Sequence, residues 1–89
     1  MRSPQLAGLH HKSIAEVQAL MGNPDFRRIE SPGELWQYRS RECVVDLFFY
    51  GAGHDRRVVR SDGRSRDPAR VVEERCVDGR EVLKDRLRG

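Results

Sequence analysis

Eighty-nine residues, 37% hydrophobic and 35% charged, are enough for one domain and too few for two. A chain of this size buries only about 60–65% of the surface its unfolded form exposes, so the core is small and the stability margin thin. The net charge of +3, carried by 15 Arg and 2 Lys, does not demand nucleic acid and matches the arginine usage of a GC-rich genome. No run approaches the roughly 20 apolar residues that span a bilayer. Met1-Arg2-Ser3-Pro4-Gln5 has neither an apolar signal core nor a lipid-attachment cysteine. The expectation is a cytoplasmic protein, or an exported one written without its leader.

Residues 1–9 read as a flexible polar arm and residues 10–89 as a single domain. His10 and His11 follow the arm, but adjacent histidines point apart on any regular element and make a poor metal pair. Ser13-Ile14-Ala15-Glu16 has the form of a capping box, in which the hydroxyl accepts from a free backbone N–H and the glutamate reaches back to the cap. Ile14, Val17, Leu20 and Met21 then form one apolar stripe. Gly22 supplies the stop and Pro24 prevents the helix from resuming. Phe26 is expected to fold back onto the core, and residues 27–33 to act as a connector with turn chemistry at Ser31-Pro32-Gly33.

From Glu34 the period changes to two. Residues 34–40 and 42–50 predict a hairpin around a tight turn at 40–42. Cys43, Val45, Leu47 and Phe49 make an unbroken apolar face, whereas Val44, Asp46, Phe48 and Tyr50 make a mixed one, the pattern of a sheet covered by helices on one side. Residues 51–69 are hydrophilic and read either as a long loop or as a loop with an edge strand over Arg57–Arg60. Residues 70–77 read as a further strand and 80–88 as a terminal helix.

Cys43 and Cys76 are the only thiols, and their spacing fits no zinc or redox motif. Two lone cysteines in a small domain predict one disulfide and an oxidising compartment; two separate buried thiols are the alternative. Antiparallel pairing of 43–50 with 70–77 would set position 43 opposite 76. The same register would oppose Asp46 and Glu73, an unfavourable pair that a bulge or an intervening strand would relieve.

Gly8-Leu9, then Ser13-x-x-x-Val17-x-x-Leu20-Met21-Gly22-x-Pro24-Asp25, then Leu35-Trp36-x-Tyr38 resembles the SmpA/OmlA family, the BamE-like small outer-membrane lipoproteins. The resemblance covers about residues 8–50. It implies an α+β fold in which one or two short N-terminal helices pack on one face of a three- to four-stranded antiparallel sheet. β-Lactamase inhibitory proteins look like tandem copies of the same unit. The roles it implies are non-catalytic: an accessory of outer-membrane barrel assembly, or an inhibitor docked on an enzyme. The lipid-bearing cysteine of the family is missing, and past Tyr50 the chain departs from the pattern.

Nothing in the sequence assembles chemistry. No Gly-x-Ser-x-Gly elbow, P-loop or His-Glu-x-x-His occurs, and His10, His11 and His54 fall in arms and loops. No cofactor or metal is expected. The reading is a non-catalytic protein-interaction or assembly module of the cell envelope, periplasmic and anchored to the outer membrane by a tether outside this sequence. Its partner is another envelope protein, with a second copy of the chain as one candidate. The expected contact residues are Trp36, Tyr38, Phe48 and Tyr50, since aromatics are enriched at binding hot spots, with Arg56 and Arg57 secondary. The alternative is an anion- or nucleic-acid-binding module using Arg56, Arg57, Arg60, Arg64, Arg66 and Arg70 against Asp55, Asp62 and Asp67. No aromatic is interleaved among these arginines for base stacking, which argues against nucleic acid.

Overall fold

The computed structural model describes residues 5–67, 69 and 73–87. Ser13 caps α1 (Ile14–Met21): its Oγ accepts from the Glu16 N–H at 3.2 Å, and its own N–H donates to Glu16 Oε1 at 3.0 Å. Val17 and Met21 turn inward on this helix, with Ile14 and Leu20 packed at the margin. Gly22 ends it at a φ of 75°, a region closed to most side chains. Four antiparallel strands then follow in simple sequential order: β1 (Phe26–Glu30), β2 (Gly33–Arg39), β3 (Cys43–Tyr50) and β4 (Arg57–Ser65). The chain closes with a single-turn helix α2 (Glu74–Val77) and α3 (Arg80–Arg86). This is an α+β arrangement, and none of its described helices is long and apolar enough to cross a membrane.

The core lies between the helices and one face of the sheet. Trp36, Tyr38, Cys43, Val45, Leu47, Phe49 and Val58 supply the sheet side; Leu6, Leu9, Val17, Met21, Cys76, Val82 and Leu83 supply the other. The predicted hairpin is present, with Arg39 opposite Val44 and Trp36 opposite Leu47.

Several expectations are corrected. The segment taken for a connector contains β1, paired with β2 from Phe26–Gln37 to Glu30–Gly33 around a turn whose Ser31–Pro32 peptide is cis. The stretch taken for a polar arm contributes Leu6 and Leu9 to the core through a 3-10 turn at Leu6–Leu9, pinned by the Leu6 N–H on the Asp78 carbonyl at 2.9 Å; residues 1–4 lie outside the described residues. The edge strand considered for Arg57–Arg60 extends to Ser65, and it is this strand that pairs with β3. Residues 74–77, expected in a strand, are helical, and 70–72 lie outside the described residues.

The disulfide is Cys43–Cys76, but its geometry differs from the one expected. It crosses from the sheet to α2 in the helix layer instead of linking two paired strands. Asp46 therefore faces Asp62, not Glu73. Contact between α2 and β4 depends on Gly63: a Cβ there would stand 2.0 Å from the Cys76 carbonyl oxygen. At the start of α3, Gly79 has a φ of 77° and sits against Leu6, whose Cγ would lie 2.4 Å from an added Cβ.

Two stability predictions follow from this packing. Gly63→Ala must push α2 away from β4 and is expected to cost about 2–3 kcal/mol, read as a lowered denaturant midpoint with the slope unchanged. Removing the 33-residue cross-link with Cys43→Ala and Cys76→Ala should cost about 3–4 kcal/mol, lowering the melting temperature by at least about 12 °C. A melt unaffected by either change would contradict this account of the α2 contact.

Candidate docking face

The two faces of the sheet differ sharply. Helices cover the face bearing Trp36, Tyr38, Val45, Leu47 and Phe49. In-register pairing places four rows across the opposite face. The first runs Arg39, Val44, Arg64. The second runs Phe26, Gln37, Asp46, Asp62. The third runs Arg28, Leu35, Phe48, Arg60, and the fourth Glu30, Gly33, Tyr50, Arg57. A bulge in β4 opposite Phe48 and Phe49 adds Val59 between the last two rows.

Of the predicted contact residues, Phe48 and Tyr50 stand on this open face, Phe48 half-buried and Tyr50 59% exposed. Trp36 and Tyr38 do not. They are 1% and 0% exposed, because the turn at Arg41–Glu42 sets Trp36 beside Leu47 and Tyr38 beside Val45, on the helix-covered side. Both are therefore core residues and are withdrawn as surface contacts. The Tyr38 hydroxyl donates to the Gly22 carbonyl at 2.7 Å, and burial raises its pKa well above the ordinary tyrosine value. Trp36 packs on Phe49 with ring centroids 4.9 Å apart.

Arg56 also has a structural task. It is mostly buried and holds Glu34, a carboxylate 3% exposed, at 3.0 Å. Arg27 reaches the same carboxylate at 2.5 Å, and the Trp36 indole N–H donates to it at 2.5 Å. Burial by itself would raise the Glu34 pKa; the hydrogen bonds from Trp36 and Arg27, together with the Arg27 charge and the Arg56 hydrogen bond, outweigh it and leave the group below its ordinary 4.5. Arg57 is exposed, but its guanidinium turns to the helix layer, donating to the His11 carbonyl at 2.9 Å and lying 3.5 Å from Glu16.

The remaining arginines of the basic segment do not converge. Arg60 lies over the Phe48 ring at 4.9 Å, Arg64 donates to Asp46 at 2.5 Å, and Arg66 donates to the Ser40 and Arg41 carbonyls. Arg70 lies outside the described residues. The five described arginines are thus spread over both faces and one edge, with four of them already holding carboxylates or carbonyls.

The histidines stay apart from any acid–base pairing among the described residues: His10 and His11 contact each other edge to face at 5.9 Å, and His54 is exposed in a 3-10 turn at Gly53–Asp55. Donor atoms of Cys43, Cys76 and Glu81 lie within 4.8 Å of one another, but both sulfurs are spent in the disulfide. Glu81 accepts from Ser40 Oγ at 2.5 Å and from Arg75 at 2.8 Å.

What the open face offers is apolar surface. Val59 is 52% exposed beside Tyr50, and Phe26, on the β1 edge of the same face, is 42% exposed. Leu35, Phe48, Tyr50 and Val59 line a shallow depression with Pro32 over the backbone of Gly33. Sequence reasoning folded Phe26 onto the core, whereas it is exposed on the open face; it missed Leu35, Val59 and Arg28, and named Arg60 only for the anion-binding alternative. Phe26-Arg27-Arg28-Ile29-Glu30 has no period-two alternation, so β1 left no pattern to read. The β4 bulge, which turns Val58 inward and Val59 outward, left none.

The Glu34 cluster makes a pH prediction. A carboxylate held below its unfolded pKa adds stability above about pH 4.5 and loses it as the pH falls through the folded value. Unfolding free energy should therefore decline below that pH, and Glu34→Gln, less stable at neutral pH, should show a flatter acid limb. Parallel acid limbs for the two proteins would remove Glu34 as their cause.

Compared with known proteins, the chain matches no family model, no curated protein and no solved structure.

Proposed function

We propose that this chain is a non-catalytic docking module of the cell envelope that holds a partner protein against the open face of its sheet. The carrying observation is one-sidedness. Helices cover one side of β2, β3 and β4, with Ile29 of β1 left exposed on that side, while the other face displays Tyr50 and Val59 next to the half-buried Phe48 and Phe26 at its β1 edge. An apolar patch of this kind on a small domain, rimmed by charge, is the usual mark of a binding surface.

An oxidising compartment is supported by the Cys43–Cys76 bond, since disulfides persist outside the reducing cytosol. Kinship with SmpA/OmlA proteins belongs to the same proposal. It rests on the capped helix ending at Gly22-x-Pro24 and the strand carrying Trp36-x-Tyr38, and it would account for a periplasmic location with an outer-membrane tether. The anion-binding alternative gains no support from arginines that point in different directions and hold groups of the chain itself.

A photo-crosslinking amino acid placed at Tyr50, in cells exporting the protein to the envelope, tests the face directly. Adducts with a discrete protein are expected from position 50 and not from Gln18 on the helix layer, and Phe48→Ala should lower their yield about tenfold or more. Equal adducts from both positions, or adducts indifferent to Phe48, would refute docking through the sheet.

A further inference from the structure

Resting on that docking face, we infer that its occupant is an acidic protein segment, whose apolar side chain enters the depression over Gly33 while a neighbouring carboxylate is gripped by Arg60. Across the sheet, Arg28, Leu35, Phe48 and Arg60 stand in register, so the apolar pair at the centre is bracketed by a guanidinium on each side. With neighbouring strands about 4.8 Å apart, the brackets lie about 14 Å from one another along the row. They are not equivalent. Arg28 is paired with Glu30. Arg60 has no acidic partner among the described residues, and its guanidinium lies over the Phe48 ring, 4.9 Å from the centroid.

That stack matters physically. A guanidinium flattened on an aromatic face keeps its edge N–H groups directed outward, in the fork that receives a carboxylate through two parallel bonds. Contact with the ring narrows the rotamers open to the side chain before binding, so less entropy is lost when a ligand fixes it. The depression lies beside it: Leu35, Phe48, Tyr50 and Val59 form its apolar lining together with Pro32 and Gly33, and the one exposed carboxylate on it, Glu30, is held by Arg28. A side chain cannot be added at Gly33 without meeting the Phe49 carbonyl at 2.8 Å, so the opening is part of the strand pairing itself.

A second copy of the chain centred on this row is a poor occupant. A two-fold axis along the row would set Arg60 against another Arg60. An axis along the strands, between β2 and β3, would set Arg60 against Arg28. Both bring like charges together at the desolvated rim.

The test pans a library of short random displayed peptides against the whole chain with its disulfide intact. Enriched sequences should carry Asp or Glu beside a large apolar residue. Synthesised, they should bind with an affinity that Phe48→Ala or Arg60→Gln lowers about tenfold or more, that Arg60→Lys lowers less, and that Lys84→Gln on α3 leaves unchanged. Arg60 is exposed, so its variants should melt with the parent protein, which separates lost binding from lost folding. Enriched peptides that need Phe48 but lack carboxylates, or ignore Arg60, would overturn the acidic occupant and leave the docking face standing. A library that yields nothing dependent on Phe48 would overturn both. A concentration-dependent dimer abolished by Phe48→Ala with Tyr50→Ala would assign the face to a second copy. Arg60-dependent retention on phosphatidylglycerol vesicles, without peptide binding, would assign it to a membrane surface. Either result ends the proposal.

Discussion

Strand residues alternate between the two sides of a sheet, so a one-residue change of register exchanges what is buried and what is exposed. In this protein the two-residue turn at Arg41–Glu42 makes that assignment for β2 and β3. Ser40 and Cys43 close it, with the Ser40 N–H on the Cys43 carbonyl at 2.9 Å, and every pair up to Gly33–Tyr50 follows. Cys43, Val45, Leu47 and Phe49 are thereby aligned with Tyr38, Trp36 and Glu34 on one side. The helices have a single apolar surface to cover, and the disulfide can reach from that same surface to α2.

Polar groups reinforce the same layering. Glu34 sits on the buried side because its register demands it, and it is tolerated because Trp36, Arg27 and Arg56 all hold it. A lone carboxylate there would be costly. Arg75 gathers Glu42, Glu73 and Glu81, joining the hairpin turn to α2 and α3. Arg86 binds Asp25 and the Arg39 carbonyl while lying over Tyr38, which fastens the end of α3 to the start of β1. Much of the arginine content is therefore structural. Arg60 is an exception: on the open face it lies over the Phe48 ring, with no carboxylate partner among the described residues. A surface that is pre-ordered, partly apolar and electrostatically unfinished is suited to recognition.

Local chemistry in the sequence was enough for the capped helix, the hairpin and the alternation of β3, because each depends on neighbours a few residues apart. Ser13 and Glu16 make their own cap, and Val45 and Phe49 alternate inward wherever β3 is placed. Pairing the cysteines was also legible, since only two exist, although the register imagined for them was not the one that forms. What brings Cys76 to Cys43 is a glycine, Gly63, that lets a helical turn rest on β4.

The split between sequence and tertiary structure runs along one physical line. Periodicity determined that the sheet has an apolar and a mixed face, and that an amphipathic helix covers the first. It could not say on which of the two the residues of β2 lie, since that depends on the number of residues in the turn that pairs them with β3. Trp36 and Tyr38 were read as surface and are core for this reason. The same limit hid Val59, which a bulge turns outward, and Leu6 and Leu9, which look like a polar arm until α3 and β4 supply a place to bury them. Short-range patterns set which residues want to be inside; only the packed fold decided which of them were given the room.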